Sequence, residues 1–310
     1  MLSYRHAFHA GNHADILKHF ALCAVLEKLQ AKNKSFSVFD THAGAGLYNL
    51  ESEMALKTGE NISGIKKLCA CDENILPQEL LPYIRLCKAY AEHSLYPGSP
   101  EIERYFMCQD DALVLCELHN TEIEILKSNM HRKISDFKTT SAYKPTSENA
   151  VKAQIHHRNG YEALLALTPP KIRRGLAVID PSYEEKSDYL DAAKTIAAVH
   201  KKWNNGIIML WYPLLAHRKQ EIAAMKRTIT AAAQTGIICE TLDVQLLINT
   251  EDSHVETSLE EASGSKTPRL YGSGLFFINP PYLLKEQFEN VLPFLSEKLG
   301  TDGKGSFSIN

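Results

Sequence analysis

The run Ser37-Val38-Phe39-Asp40-Thr41-His42-Ala43-Gly44-Ala45-Gly46 reads as a short strand that ends in an acid and turns at once through two glycines. Open α/β sheets bind ligands at the carboxyl ends of their strands, and glycine lets backbone come close to a ligand. Two more expected strands, residues 112–117 and 175–180, also end in acids, Glu117 and Asp180. Working outward, Asn12 can cap a helix over 13–32, whose Ile16, Leu17, Phe20, Ala24, Leu26 and Leu29 recur at helical spacing. Helical patterns over 161–167, 188–202, 215–235 and 285–299 alternate with a strand at 206–211 and two late strands, 237–248 and 270–278, which suit a hairpin. Strands alternating with helices imply an α/β fold of Rossmann-like type, with a mainly parallel sheet covered on both faces.

Residues 50–96 read as helical, with breaks at Gly64, Pro77 and Pro82, and Tyr96-Pro97-Gly98-Ser99-Pro100 follows them as a turn. They are expected to be a small helical insert, leaving 1–49 and 97–310 as the main domain. The polar stretch 128–150 reads as a long exposed excursion.

Composition excludes several classes. Among 310 residues, 44% are hydrophobic and 23% charged, the profile of an ordinary globular protein. The seven cysteines are odd in number and form no C-x-x-C pair, which argues against a disulfide framework or zinc knuckle. The amino terminus is polar and lacks the apolar core of a secretory signal, and no apolar run is long enough to span a bilayer. A cytoplasmic protein is expected. A net charge of -3 speaks against a polybasic tail, although a local basic face can still bind phosphates. The basic clusters are Lys171, Arg173 and Arg174; Lys201 and Lys202; Arg218 and Lys219; Lys226 and Arg227.

The acids carry the chemistry. Asn49 stands where the dinucleotide fingerprint needs its third glycine, which disfavours hydride transfer with NAD. A carboxylate at Glu117 suits a ribose diol. A glycine turn followed by such an acid fits an adenosine-bearing cofactor without a pyrophosphate, as in S-adenosyl-L-methionine. Asp180-Pro181-Ser182-Tyr183 is close to the [D/N/S]-P-P-[Y/F/W] tetrapeptide of amino-methyltransferases. There the carboxylate and the Pro181 carbonyl accept from an exocyclic amine, while Tyr183 stacks on a base turned out of its helix or loop. Asn279-Pro280-Pro281-Tyr282 matches the same pattern more fully, but it closes the expected terminal hairpin. Order along the sheet therefore favours Asp180.

Two other chemistries fail. The amino-terminal histidines His6, His9, His13 and His19 lack an H-E-x-x-H pattern or any clear ligand spacing, so no metal is expected. His19 shares a helix face with Asp15, and Lys18 with Ala14; on their own they read as a solvated helix start. Near Gly264-Ser265-Lys266-Thr267, Ser265 and Glu260 stand where a P-loop needs glycine.

Several blocks together resemble the bacterial 23S ribosomal RNA (adenine(2030)-N6)-methyltransferases. They are Met1-Leu2-Ser3-Tyr4-Arg5-His6, Phe8-His9-Ala10-Gly11-Asn12-His13-Ala14-Asp15, Lys18-His19, the turn from Asp40 to Gly46, Tyr96-Pro97-Gly98-Ser99-Pro100, Glu117-Leu118-His119, Asp180-Pro181-Ser182-Tyr183-Glu184, Trp211-Tyr212-Pro213, and Gly272-Ser273-Gly274 with Asn279-Pro280-Pro281. The resemblance covers nearly the whole chain. It implies a class I S-adenosyl-L-methionine-dependent methyltransferase with an inserted helical subdomain, acting on one adenosine of 23S rRNA; a monomer is expected. It also implies that His19, His42, Ser99, Glu117, Asn159, Gly160 and Asp180 line the cofactor site. Asp180 would hold the target amine and accept its proton, with Pro181 and Tyr183 beside it. Tyr4, His6 and Lys18 would lie over the active site and help place the RNA.

Two residues depart from the family pattern. Ser182 replaces a second proline, which loosens the turn but leaves the Pro181 carbonyl. Asn159 replaces an Asp, so a hydrogen bond to the cofactor's adenine amine loses its charge assistance. Weaker cofactor binding than in relatives with Asp is expected. At this level a DNA or protein-amine methyltransferase, or an RNA-binding module with a degenerate site, stays open.

Overall fold

The computed structural model describes residues 5–132, 151–236, 239–251 and 270–310. Tyr4, most of the 128–150 excursion and the loop between the two late strands lie outside them. Along the chain, α1 (His13–Gln30), β1 (Ser37–Asp40) and β2 (Leu47–Asn49) come first. α2 (Glu53–Thr58), α3 (Glu60–Ser63), α4 (Ile65–Cys69), α5 (Leu81–Ala91) and β3 (Leu95–Pro97) follow. Then come α6 (Ser99–Phe106), β4 (Ala112–Glu117), α7 (Asn120–Met130), β5 (Ala153–His157), α8 (Gly160–Leu167), β6 (Gly175–Ile179), α9 (Ser187–Lys202), β7 (Ile207–Leu214) and α10 (Lys219–Ala233). β8 (Thr241–Leu247), β9 (Gly272–Ile278), α11 (Leu284–Leu299) and β10 (Ser306–Ile309) complete it.

The main sheet has the order β10-β8-β9-β7-β6-β1-β4-β5. β5, β4, β1, β6 and β7 are mutually parallel, and β9 runs antiparallel to β7 and to β8. From β1 the chain goes outward to β4 and β5, then returns to the other side of β1 for β6 and β7. That reversal opens a crevice at the carboxyl ends of β4, β1 and β6, where a ligand can enter.

The central strands are buried on both faces, as parallel strands under helices must be. Val38, Leu176, Val178 and Met209 join one apolar cluster, with α1 and α11, while Phe39, Ala177, Ile179 and Leu210 join the other, with α9 and α10. Residues 50–96 hold α2–α5 between β2 and β3, which pair antiparallel as a separate ribbon. Their Ile65, Leu68, Leu80, Tyr83 and Ile84 share the cluster of α1. The insert therefore packs on the main body and has no core of its own.

Four features correct the reading from sequence. α1 is not a solvated helix start, because every residue from Ala14 to Leu26 is buried. Its second face is covered by elements that its periodicity could not reveal, α5 and α6 among them. Pro82 does not break a helix but sits in the first turn of α5, where its missing N–H costs nothing. β5 and β10 are edge strands with too little apolar character to stand out. α6 is a helix buried at every residue, directly after what reads only as a turn.

Candidate active site

Three strand ends bring acids to one edge. Asp40, at the end of β1, is 1% exposed. Its Oδ2 accepts from Ser99 Oγ at 2.6 Å, and its Oδ1 from the His42 N–H at 3.1 Å. Burial pushes its pKa up to about 6, against the lowering pull of Ser99 and the His42 N–H. Glu117, at the end of β4, is also pushed up by burial. Its carboxylate accepts from the Gly44 N–H at 2.8 Å and the His119 N–H at 2.6 Å. The turn between them needs its glycines, since Gly44 and Gly46 have φ of 57° and 75°.

The histidines of this edge are neutral at pH 7. Desolvation lowers His42 to about 4 and His19 to about 3. His42 Nδ1 lies 2.7 Å from Thr41 Oγ1, and its ring meets Tyr161 edge-on at 5.2 Å. His19 Nδ1 is hydrogen-bonded to the Tyr96 hydroxyl at 2.6 Å, and Tyr96 in turn to the Tyr83 hydroxyl at 2.9 Å.

Asp180 follows β6 and is tied across the crevice to α1. Lys18 Nζ donates to its Oδ2 at 2.5 Å. The same ammonium lies 3.0 Å from Asp15 Oδ1, one helical turn earlier. Asp15 is 1% exposed, and its Oδ2 also accepts from His6 Nε2 at 2.9 Å and the Gly11 N–H at 2.8 Å. Burial works to raise the pKa of Asp15, but His6, Lys18 and His19 outweigh it and hold the carboxyl well below its usual range.

α8 brings in the remaining expected residues. Asn159 caps it, with Oδ1 accepting from the Tyr161 and Glu162 N–H groups at 2.9 and 3.2 Å. Gly160 is packed so tightly that a Cβ there would stand 2.0 Å from the Thr41 carbonyl oxygen. After Asp180, Pro181 is buried and Tyr183 adopts a left-handed φ of 54°. The Tyr183 ring is 5% exposed and packs on Tyr189, while its hydroxyl donates to the Trp211 carbonyl at 2.9 Å. A base stacked on that ring must first displace part of its cover.

Among the described residues, the expected site residues thus lie along one sheet edge, at its β4, β1 and β6 positions, with α1 and α8 closing in. The second tetrapeptide does not join them. β9 is antiparallel, so Asn279 leaves it at the opposite edge, where its Nδ2 donates to the Asn204 and Gly206 carbonyls at 2.8 Å. Tyr282 is 84% exposed. Sequence reasoning left two residues out of the site, Asp40 and Asp15. The signals were there: Asp40 ends a strand before a glycine turn, and Asp15 stands three and four residues before Lys18 and His19.

The donor set fits a cationic adenosine cofactor better than a dinucleotide. The Gly44 N–H, which a phosphate would need, already donates to Glu117. Three carboxylates, Glu117, Asp40 and Asp180, gather at the ends of adjacent strands, which suits a sulfonium and a ribose diol. No group of three or more metal-ligating side chains occurs among the described residues.

This sheet order, with its antiparallel β9 and acids at three neighbouring strand ends, is that of a class I methyltransferase. Residues 33–310 match the family described as ribosomal RNA large subunit methyltransferase D, RlmJ. The chain is 37% identical to ribosomal RNA large subunit methyltransferase J of Escherichia coli, over 100% of this chain and 98% of that one. It is 35% identical to the protein of the same name in Haemophilus influenzae, again over 100% and 98%. A crystal structure of a Legionella pneumophila protein superposes with a TM-score of 0.77 at 28% identity, covering 97% of this chain and 98% of that one. The chain belongs to the RlmJ family and is a methyltransferase.

Proposed function

We propose that the protein transfers a methyl group from S-adenosyl-L-methionine to the N6 amine of one adenosine in 23S rRNA, the nucleotide at 2030 by family resemblance. The observation that carries this reading is the 2.5 Å contact between Lys18 and Asp180. It fixes the acid of the Asp-Pro-Ser-Tyr turn at the mouth of the crevice, beside the edge where an adenosine cofactor fits.

When bound, the sulfonium supplies an already activated methyl group, so the protein's task is placement and removal of one proton. Lys18 occupies Asp180 Oδ2, which leaves Oδ1 to accept one N6–H. The Pro181 carbonyl accepts the other. Held at both hydrogens, the nitrogen turns its lone pair toward the donor, and Asp180 takes the proton released as the N–C bond forms. His19, His42, Ser99, Glu117, Asn159 and Gly160 would hold the cofactor. Ser99 acts through Asp40, and Glu117 receives the ribose hydroxyls. Tyr4 and His6 would cover the base, and Tyr183 would stack on it once uncovered.

Two experiments test the reading. Label transferred from tritiated cofactor should appear in unmodified rRNA and not in DNA, and Asp180→Ala should abolish it. Mass-spectrometric mapping of N6-methyladenosine in rRNA should show one site lost in cells lacking the gene. Transfer into DNA alone, or full transfer by the Asp180→Ala enzyme, overturns it.

A further inference from the structure

The polar network behind Asp180 contains a residue to which neither the resemblance nor the proposed mechanism gives a role. We propose that Asp15 is a positioning residue for methyl transfer: it anchors Lys18 and so fixes which oxygen of Asp180 remains open to the amine. The inference rests on the reading of Asp180 as the acceptor of the N6 hydrogens.

A lysine ammonium at the end of four rotatable bonds has no preferred direction of its own. Here it is held by two carboxylates, Asp15 Oδ1 at 3.0 Å and Asp180 Oδ2 at 2.5 Å. Its side chain is only 7% exposed, so water does not compete for it. Asp15 is itself fixed on the far side by the Gly11 N–H at 2.8 Å and by His6 at 2.9 Å. His6 and Gly11 belong to the amino-terminal segment and Lys18 to α1, so one buried carboxylate sets both elements against the loop after β6.

Asp15 faces Lys18 and His19 on its own helix, and His6, His9 and His13 at or before the helix start. Tyr48 from β2, Tyr83 from α5 and Tyr96 from β3 lie within its field. Without the Asp15 charge, Lys18 loses one of the two carboxylates that hold it and can shift over both oxygens of Asp180, blocking the one the amine needs.

Asp15→Asn tests this, because it keeps the shape and an acceptor oxygen but removes the charge. The expected result is a fall in kcat of about tenfold or more, with the KM for rRNA and the Kd of the cofactor within about threefold. A double-mutant cycle reads the path. Asp15→Asn/Lys18→Met should be as active as Lys18→Met alone, since an effect exerted through Lys18 has nothing left to act on. The double variant also removes both charges of the buried pair, so it remains available if Asp15→Asn alone does not fold. A readout independent of turnover is the labelling of Lys18 by an amine-modifying reagent, followed by mass spectrometry on free protein. Lys18 should react about fivefold faster in Asp15→Asn, with Lys226, paired to Asp243, unchanged as the internal reference.

A kcat within twofold of the parent overturns the inference. So does a double variant about tenfold below Lys18→Met, which would show that Asp15 acts independently of Lys18. Asp180→Ala separates the two levels. If it keeps full activity, the reading of Asp180 falls; if it is dead while Asp15→Asn is normal, only the positioning role falls.

Discussion

Asp40 shows how a single residue can trade stability for function. Its carboxyl is buried at the end of β1, and burial raises its pKa from 3.8 to about 6. The folded state therefore binds this proton more tightly than the unfolded chain. Stability is greatest with the proton on, and falls as pH rises from about 4 to about 6. A shift of roughly two units corresponds to about 3 kcal/mol, before the loss of the hydrogen bonds to the charged form. Asp40→Asn should thus be more stable than the parent by about 2 kcal/mol at neutral pH, with the gap closing toward pH 4. Urea unfolding of both proteins at several pH values checks this, and a variant that is less stable throughout would contradict it. The same change should weaken cofactor binding, because it removes a charge from the acceptor-rich edge. Asn159 poses the opposite question. Its Oδ1 already accepts from two backbone N–H groups, so little acceptor capacity remains for an adenine amine. Asn159→Asp adds a charge at a helix N-terminus, where it is favoured, and strengthens any bond to the cofactor. Tighter cofactor binding is expected by calorimetry, and an unchanged Kd would show that residue 159 serves only as the helix cap.

At the scale of elements, legibility followed burial. β1, β4 and β6 were readable because two-sided burial makes short apolar runs, and their terminal acids stand out against them. β5, Ala153–His157, was not, since an edge strand with His156 and His157 in it has no apolar signature. The periodicity of α1 fixes its bounds to within two residues but not its environment. Periodicity sees one apolar face, whereas the packing of α5 and α6 buries Asp15, Lys18 and His19 as well. That burial hides Asp15, Lys18 and His19 from a sequence reading: these polar residues look like a solvated face until α5 and α6 cover the helix. α8 carries a direct test of how elements hold the site together. Its first residue, Gly160, touches the turn after β1, and an added Cβ would stand 2.0 Å from Thr41 O and 2.7 Å from Thr41 C. Backbone cannot yield there as a side-chain tip would. Gly160→Ala should cost about 3 kcal/mol, read as a lower Tm, and should weaken cofactor binding because the turn from Thr41 to Gly46 must move. Unchanged Tm and affinity would mean that α8 shifts freely against β1.

For the whole molecule the question is how a chain of net charge -3 holds an RNA. Topology sorts its basic residues. Loops that follow the parallel strands lie on the edge that carries Asp180, and loops that precede them lie on the other. Arg158 follows β5, Lys186 lies in the loop after β6 that carries Asp180, and Arg218 follows β7. Lys171 and Arg173 precede β6, while Lys201 and Lys202 precede β7, so those two clusters face away from the crevice. Lys186 is exposed, with its ammonium 3.0 Å from Glu221, and Arg218 is 3.5 Å from the same carboxylate. An ion pair whose cation stands in solvent is weak, so a phosphate can take Lys186 from Glu221 at little cost. Phosphate contacts release counterions, and each one neutralised lowers the dependence of log K on log salt by about one unit. Arg158→Ala and Lys186→Ala should each reduce the slope for rRNA fragments by about that amount. Lys171→Ala and Lys201→Ala should leave it unchanged. Equal effects from both groups would mean that the RNA wraps around the sheet, and loss only from the second would place it on the edge opposite Asp180, where no transfer to a base held there is possible.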